Sequence, residues 1–131
     1  MEDTFIKACE NGNMNKVKEC LSHPELNVHT KDELAFRLAC RNGHLEIVKL
    51  LLSLTGDRYI NVHTKDELAF LEACSHGHLG IVKWLLSLTG DRYIDVHIYD
   101  EDAFRKACEN GHLEIVKLDN LIACINSVPD Q

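Results

Sequence analysis

The side chains best suited to metal binding or nucleophilic chemistry in this 131-residue chain are its eight histidines and six cysteines. Their tightest grouping is Cys74-Ser75-His76-Gly77-His78. A zinc centre needs three or four converging nitrogen or sulfur ligands. Here Cys74 is expected to point inward, and His78, directly after a glycine, to be committed to a turn. His44, His78 and His112 each follow such a glycine and could form a metal row. Bonding to loop backbone at the start of a helix accounts for them better. A second series, His29, His63 and His97, could form a ladder titrating near neutral pH. The preferred reading is that these rings position their loops through neighbouring backbone groups. No glycine-rich phosphate loop, nucleophile elbow or paired-acid motif stands outside a repeating register. No enzyme, catalytic residue, metal or cofactor is therefore expected.

That register is the strongest signal in the chain. Asn27-Val28-His29-Thr30-Lys31-Asp32-Glu33-Leu34-Ala35-Phe36 recurs letter for letter from Asn61 to Phe70, and a looser copy starts at Asp95, a period of 34 residues. Such a period predicts a solenoid whose units stack on their neighbours. Cys9, Cys40, Cys74 and Cys108 share one position per unit, each after an alanine. Stacked equivalents would lie roughly 8–10 Å apart, beyond the ~7 Å Cα separation a disulfide allows. They are read as small buried hydrophobes in a reducing compartment. Cys20 and Cys124 fall outside the series and are expected to be more exposed.

Within one unit, Asp32 is expected to cap a first helix running to Arg41, with Leu34, Leu38 and Arg41 at helical spacing beside Ala35 and Phe36. Asn42-Gly43 ends it, because glycine reaches the left-handed region cheaply. A second helix follows from about His44 to Leu54, with Leu45, Val48, Leu51 and Leu52 inward and Glu46 and Lys49 in water. Thr55-Gly56-Asp57-Arg58 breaks it, and Tyr59 to Thr64 forms an extended or hairpin-like connection. The first unit reaches the second after only 31 residues, since Ser22-His23-Pro24-Glu25-Leu26-Asn27 is a loop three residues shorter. The fold class is thus all-α, a solenoid of helix–turn–helix units with protruding loops. It forms one domain over 1–131 with units near 1–28, 29–62, 63–96 and 97–131.

There are 14 Lys and Arg against 21 Asp and Glu, a formal net charge of −7. This argues against nonspecific nucleic-acid or anionic-membrane binding and favours a partner of basic character. No apolar run reaches the ~18 residues of a membrane span. Met1-Glu2-Asp3-Thr4 lacks an apolar signal region, so a cytosolic location is expected. Lys31-Asp32-Glu33-Leu34 and Lys65-Asp66-Glu67-Leu68 spell a retention signal that is read only at a C-terminus, and both matches are taken as accidental.

Ala39-Cys40-Arg41-Asn42-Gly43-His44-Leu45-Glu46-Ile47-Val48-Lys49-Leu50-Leu51-Leu52 returns at Ala73 to Leu86 and Ala107 to Leu118, and more weakly at Ala8 to Leu21. This segment resembles the core of the ankyrin repeat family, over about Asp3 to Leu118. The family's Thr-Pro-Leu-His opening is replaced by Leu34-Ala35-Phe36-Arg37, Leu68-Ala69-Phe70-Leu71 and Asp102-Ala103-Phe104-Arg105. The loop also carries one extra residue. The variant looks like the divergent repeats of giant DNA viruses and of amoebal parasites or symbionts.

The resemblance implies a non-catalytic module that binds another protein, in such a source a host protein, through loop tips and the concave face of the first helices. Carried over by register, those positions are Thr30, Lys31, Glu33, Arg41 and Asn42; Thr64, Lys65, Glu67, Ser75 and His76; and Ile98, Tyr99, Glu101, Glu109 and Asn110. Ile98-Tyr99 replaces the Thr-Lys of the other units. It is either an aromatic anchor for a partner or a cover over the end of the stack. Trp84 is read as packing between second helices. Leu118, Leu121, Ile122 and Ile125 keep helical spacing and are expected to cap the last unit, with Ser127 to Gln131 fraying. The chain is expected to be monomeric, with self-association through the solenoid ends as the alternative function.

Overall fold

The computed structural model describes residues 1–95 and 102–118. Its helices run in pairs, each joined by a tight turn at a left-handed glycine, Gly12, Gly43, Gly77 and Gly111 in turn. They are α1 (Glu2–Asn11) and α2 (Met14–Leu21), α3 (Thr30–Arg41) and α4 (Leu45–Leu52), α5 (Thr64–Ser75) and α6 (Leu79–Leu86), then α7 (Asp102–Glu109) and α8 over 113–118. Odd-numbered helices stack on one another as an inner layer, each of the first three carries its even-numbered partner, and α4 touches α6. No strand occurs among the described residues. The expected breakers hold short 3-10 turns at Gly56–Arg58 and Gly90–Arg92, and the connections after them begin extended at Tyr59 and Tyr93.

Close stacking follows from small side chains. Ala8, Cys9, Ala35, Ala39, Cys40, Ala69, Ala73, Cys74 and Ala107 are buried on the inner helices. One phenylalanine per unit (Phe5, Phe36, Phe70, Phe104) is buried in the core. Each such burial stabilises by roughly 2–3 kcal/mol. Phe70 and Phe104 meet edge to face at 6.1 Å between centroids, joining α5 to α7. The loops contribute Leu26, Val28, Ile60, Val62 and Ile94 to the same core.

Three expectations are corrected here. Cys20 is buried, packed on the inside of α2, whereas Cys108 is exposed because it sits on the last inner helix of the described stack. On α4, Val48, Leu51 and Leu52 are buried as expected, but Ile47 joins them and Leu45 is only half-buried, so the inward stripe is turned slightly toward Ile47. Asp32 and Asp66 do not cap their helices. Lys31, Asp32 and Glu33 take φ of 59, 57 and 62°, and Lys65, Asp66 and Glu67 take 56, 57 and 65°. Each trio is a single left-handed turn, and the right-handed helix begins only at Leu34 and Leu68. Cys124 and the expected terminal helix and fraying end lie outside the described residues.

A left-handed backbone costs roughly 1–2 kcal/mol per non-glycine residue. Contacts from outside the trio hold it. Asn27 Oδ1 accepts the His29 N–H at 2.9 Å, and the Arg37 guanidinium donates to the Lys31 and Asp32 carbonyls, both at 3.0 Å. Leu71 replaces Arg37 in the next unit, so that turn lacks this clamp. Lys31→Gly should therefore raise stability by about 1 kcal/mol, since glycine relieves the φ cost and the exposed Lys31–Asp3 pair at 3.9 Å contributes little. Urea unfolding checks this, and a destabilised Lys31→Gly protein would show the turn to be unstrained.

Candidate protein-interaction surface

Inter-unit joints decide which polar side chains remain free. The first joint is the imidazole after each turn glycine. His44 Nε2 donates to Glu10 O at 2.9 Å and His78 Nε2 to Arg41 O at 2.8 Å, each lying over the glycine of the preceding unit. These bonds go to the end of the previous inner helix, not to loop backbone as expected. Burial pushes His78 below the ordinary histidine value, against the bond to Arg41 O and with the help of His76, His44 and His112. Cys74 is buried and its thiol is pushed up to about 12. Among the described residues no three metal-ligating side chains converge.

The second joint is a glutamate at the end of each left-handed turn. Glu33 Oε2 accepts the Asn61 N–H at 2.8 Å, and both its oxygens face His29 Nδ1 at 2.8 and 2.9 Å. Glu67 Oε1 faces His63 Nδ1 at 2.6 Å. Glu33 is 4% exposed. Glu33, expected at a partner surface, is therefore buried, and Glu67 half-buried, each carboxylate turned toward its histidine.

The third joint is the loop arginine. Arg58 donates to Leu21 O at 2.7 Å and His23 O at 2.6 Å; Arg92 donates to Leu52 O at 2.7 Å and Ile60 O at 3.1 Å. Each guanidinium thus satisfies a carbonyl at the end of the preceding outer helix, where carbonyls lack intrahelical donors. Arg92 also lies 3.8 Å over the Tyr59 ring, whose hydroxyl donates to Asp91 at 2.8 Å. In sequence this segment reads only as a helix breaker. The signal was present, since Thr-Gly-Asp-Arg-Tyr stands at 55–59 and again at 89–93.

The remaining candidates sort by these joints. Asn42 Nδ2 donates to Glu10 O at 3.0 Å and Asn110 Nδ2 to Ser75 O at 2.8 Å, so both tie units together while staying exposed. Thr30 and Thr64 hydroxyls donate to Asn27 O and Asn61 O within their own loops. Lys31 and Lys65 are exposed at the tips, Lys65 lying 3.6 Å from Asp32 of the preceding unit. Arg41, Glu72 and His76 form a polar track across α3 and α5, with Arg41 Nε 3.9 Å and His76 Nδ1 3.4 Å from Glu72 Oε2. Ser75 is half-buried beside it and Glu109 is exposed on α7, 3.8 Å from Lys106. Tips and track sit at opposite ends of the inner helices, roughly 12 Å apart for eight residues of helix. Trp84 lies between outer helices under Lys49 at 4.9 Å, yet keeps 36% exposure. Ile98, Tyr99, Glu101 and His97 lie outside the described residues. No helix among the described residues is long and apolar enough to cross a membrane.

A family model described as ankyrin repeats (3 copies) matches residues 5–100.

Proposed function

The chain belongs to the ankyrin repeat family, whose repeats generally mediate protein–protein interaction, and on that premise we propose that it is a non-catalytic module binding one partner protein through its loop tips and concave face. The observation that carries this reading is the division of polar groups. The joints engage Glu33, Glu67, Arg58 and Arg92, and leave Lys31, Lys65, Arg41 and His76 accessible on a rigid frame. A preorganised surface of this kind binds without a large ordering cost. The net charge of −7 speaks against nucleic acid or an anionic membrane. The four units, near 1–28, 29–62, 63–96 and 97–131, act as one domain. The free cysteines Cys9, Cys20, Cys40 and Cys74 support a reducing cytosol, host cytosol for a viral or parasitic source.

Self-association through the end of the stack is the second reading, favoured by Leu113 at 64% exposure near exposed Cys108. Ile98→Ala with Tyr99→Ala should weaken partner binding about 30-fold, the effect of losing one aromatic anchor, with helicity unchanged. Affinity capture from host lysate, followed by titration of the captured protein against both forms, measures it. Undiminished binding by the double variant sinks the anchor. Growth in mass over a concentration series, measured by light scattering, would favour self-association.

A further inference from the structure

We infer that His29 and His63 tie each loop tip to the next loop only as imidazolium ions, so that the joints between consecutive units loosen as pH rises from mildly acidic to alkaline. Each ring stands between two oxygen acceptors. His29 Nδ1 lies 2.8 and 2.9 Å from the Glu33 oxygens and Nε2 lies 2.6 Å from Asp57 O. His63 repeats the arrangement 34 residues on, with Nδ1 2.6 Å from Glu67 Oε1 and Nε2 2.6 Å from Asp91 O. A neutral imidazole has one N–H and one lone pair. Whichever tautomer it adopts, the lone pair would face an oxygen across a hydrogen-bond distance. Only the doubly protonated ring satisfies both sides. Proton transfer to Glu33 is disfavoured, because Glu33 Oε2 also accepts the Asn61 N–H at 2.8 Å and that bond strengthens on an anion.

Among the described residues, the charged groups facing the rings are all acidic. Glu33 faces His29 from its own helix and Asp57 from the following loop; Glu67 and Asp91 face His63 in the same way. Burial pulls both imidazoles down. The bond to the loop carbonyl, the bond to the glutamate and the two acidic charges outweigh it, and both rings are held above the ordinary histidine value. The sign of the pH effect follows. A group whose pKa is raised by folding contributes in full below its unfolded value of about 6.5, and its contribution is lost as pH climbs through the raised value. The molecule contains its own control. Glu2, in the same register on α1, accepts the Asn27 N–H at 2.9 Å with no imidazole beside it among the described residues. That N–H holds the Glu2 carboxyl below the usual range, so this joint stays ionised throughout the window.

Ring nitrogen shifts of His29 and His63 by NMR from pH 5 to 9, with amide exchange at Asn27 and Asn61, test the inference. Both nitrogens of both rings should be protonated at pH 6, and their midpoints should lie above about 6.5. After correction for intrinsic exchange, opening at Asn61 should increase about tenfold for each unit by which folding raises the His29 midpoint. Asn27 should show no such change. A midpoint at or below about 6.5, a neutral ring at pH 6, or equal pH dependence at Asn27 and Asn61 would overturn it. In His29→Gln, Asn61 opening should lose its pH dependence. If that variant does not fold, the ring shifts of the unaltered protein decide alone.

Discussion

Gly43→Ala should lower the unfolding free energy by about 3 kcal/mol, against about 1–2 kcal/mol for Gly111→Ala. Both glycines end an inner helix in the left-handed region, at φ of 83 and 78°. Any side chain pays the same backbone cost at either place. What differs is what lies above. A Cβ on Gly43 would sit 2.6 Å from His78 Cε1 and 2.7 Å from Nδ1, whereas on Gly111 it would meet nothing within 4 Å among the described residues. His78 cannot swing away freely, since its Nε2 donates to Arg41 O at 2.8 Å and releasing it forfeits a hydrogen bond worth about 1 kcal/mol. The difference between the two variants, read from urea midpoints, isolates the glycine–histidine joint. Equal losses would show that the imidazole yields without penalty and that the joint contributes shape alone.

This joint marks the boundary of what the sequence discloses. Asn42-Gly43 and its copies predicted turn and helix ends correctly, because a left-handed C-terminal residue is a local requirement with a residue-type signature. The period placed Ala39, Cys40, Ala73 and Cys74 in the core for a similar reason, since stacking demands small residues at one repeated position. The start of α3 was misread. Thr30-Lys31-Asp32-Glu33 has the composition of a helix cap followed by an acidic first turn. What overrides it is Glu33 bonding Asn61, 28 residues away, together with the Arg37 clamp. A glutamate near a helix start normally faces water, so its burial was legible only from partners brought together by folding. Glu33, expected at a partner surface, is buried for that reason, while Glu67 is half-buried. Lys31, Lys65, Arg41 and His76 carry no such partner-driven burial and stay at the surface where register put them. Cys20 went unrecognised because burial of a short outer helix depends on where its neighbours rotate it.

Arg92→Ala should also cost about 3 kcal/mol, from two charge-assisted bonds to carbonyls and a stacked ring. Its guanidinium spans Leu52 O and Ile60 O while covering the Tyr59 ring. Removing it leaves the end of α4 without that donor and uncovers the ring. Arg92→Lys should restore only part of the loss, because one ammonium cannot reproduce a planar fork over two carbonyls and an aromatic face. It does discard the one buried donor without a partner among the described side chains, Arg92 Nε, which offsets some of the deficit. Arg58 supplies the comparison. It bonds Leu21 O, the counterpart of Leu52 O, and His23 O, but the shorter loop beneath it, Ser22 to Asn27, has no tyrosine to stack on. Arg58→Ala should therefore cost less than Arg92→Ala by the worth of the cation–π contact, about 0.5–1 kcal/mol at an exposed ring. Tyr59→Leu in the Arg92→Ala background should then change stability much less than it does alone, as a double-mutant cycle requires of a true pairwise contact. Additive losses would assign the arginine's effect entirely to the carbonyls. The loop arginines would then act as helix-end donors that fix the spacing of neighbouring units, and Tyr59 would be left as an exposed side chain with no structural duty toward Arg92.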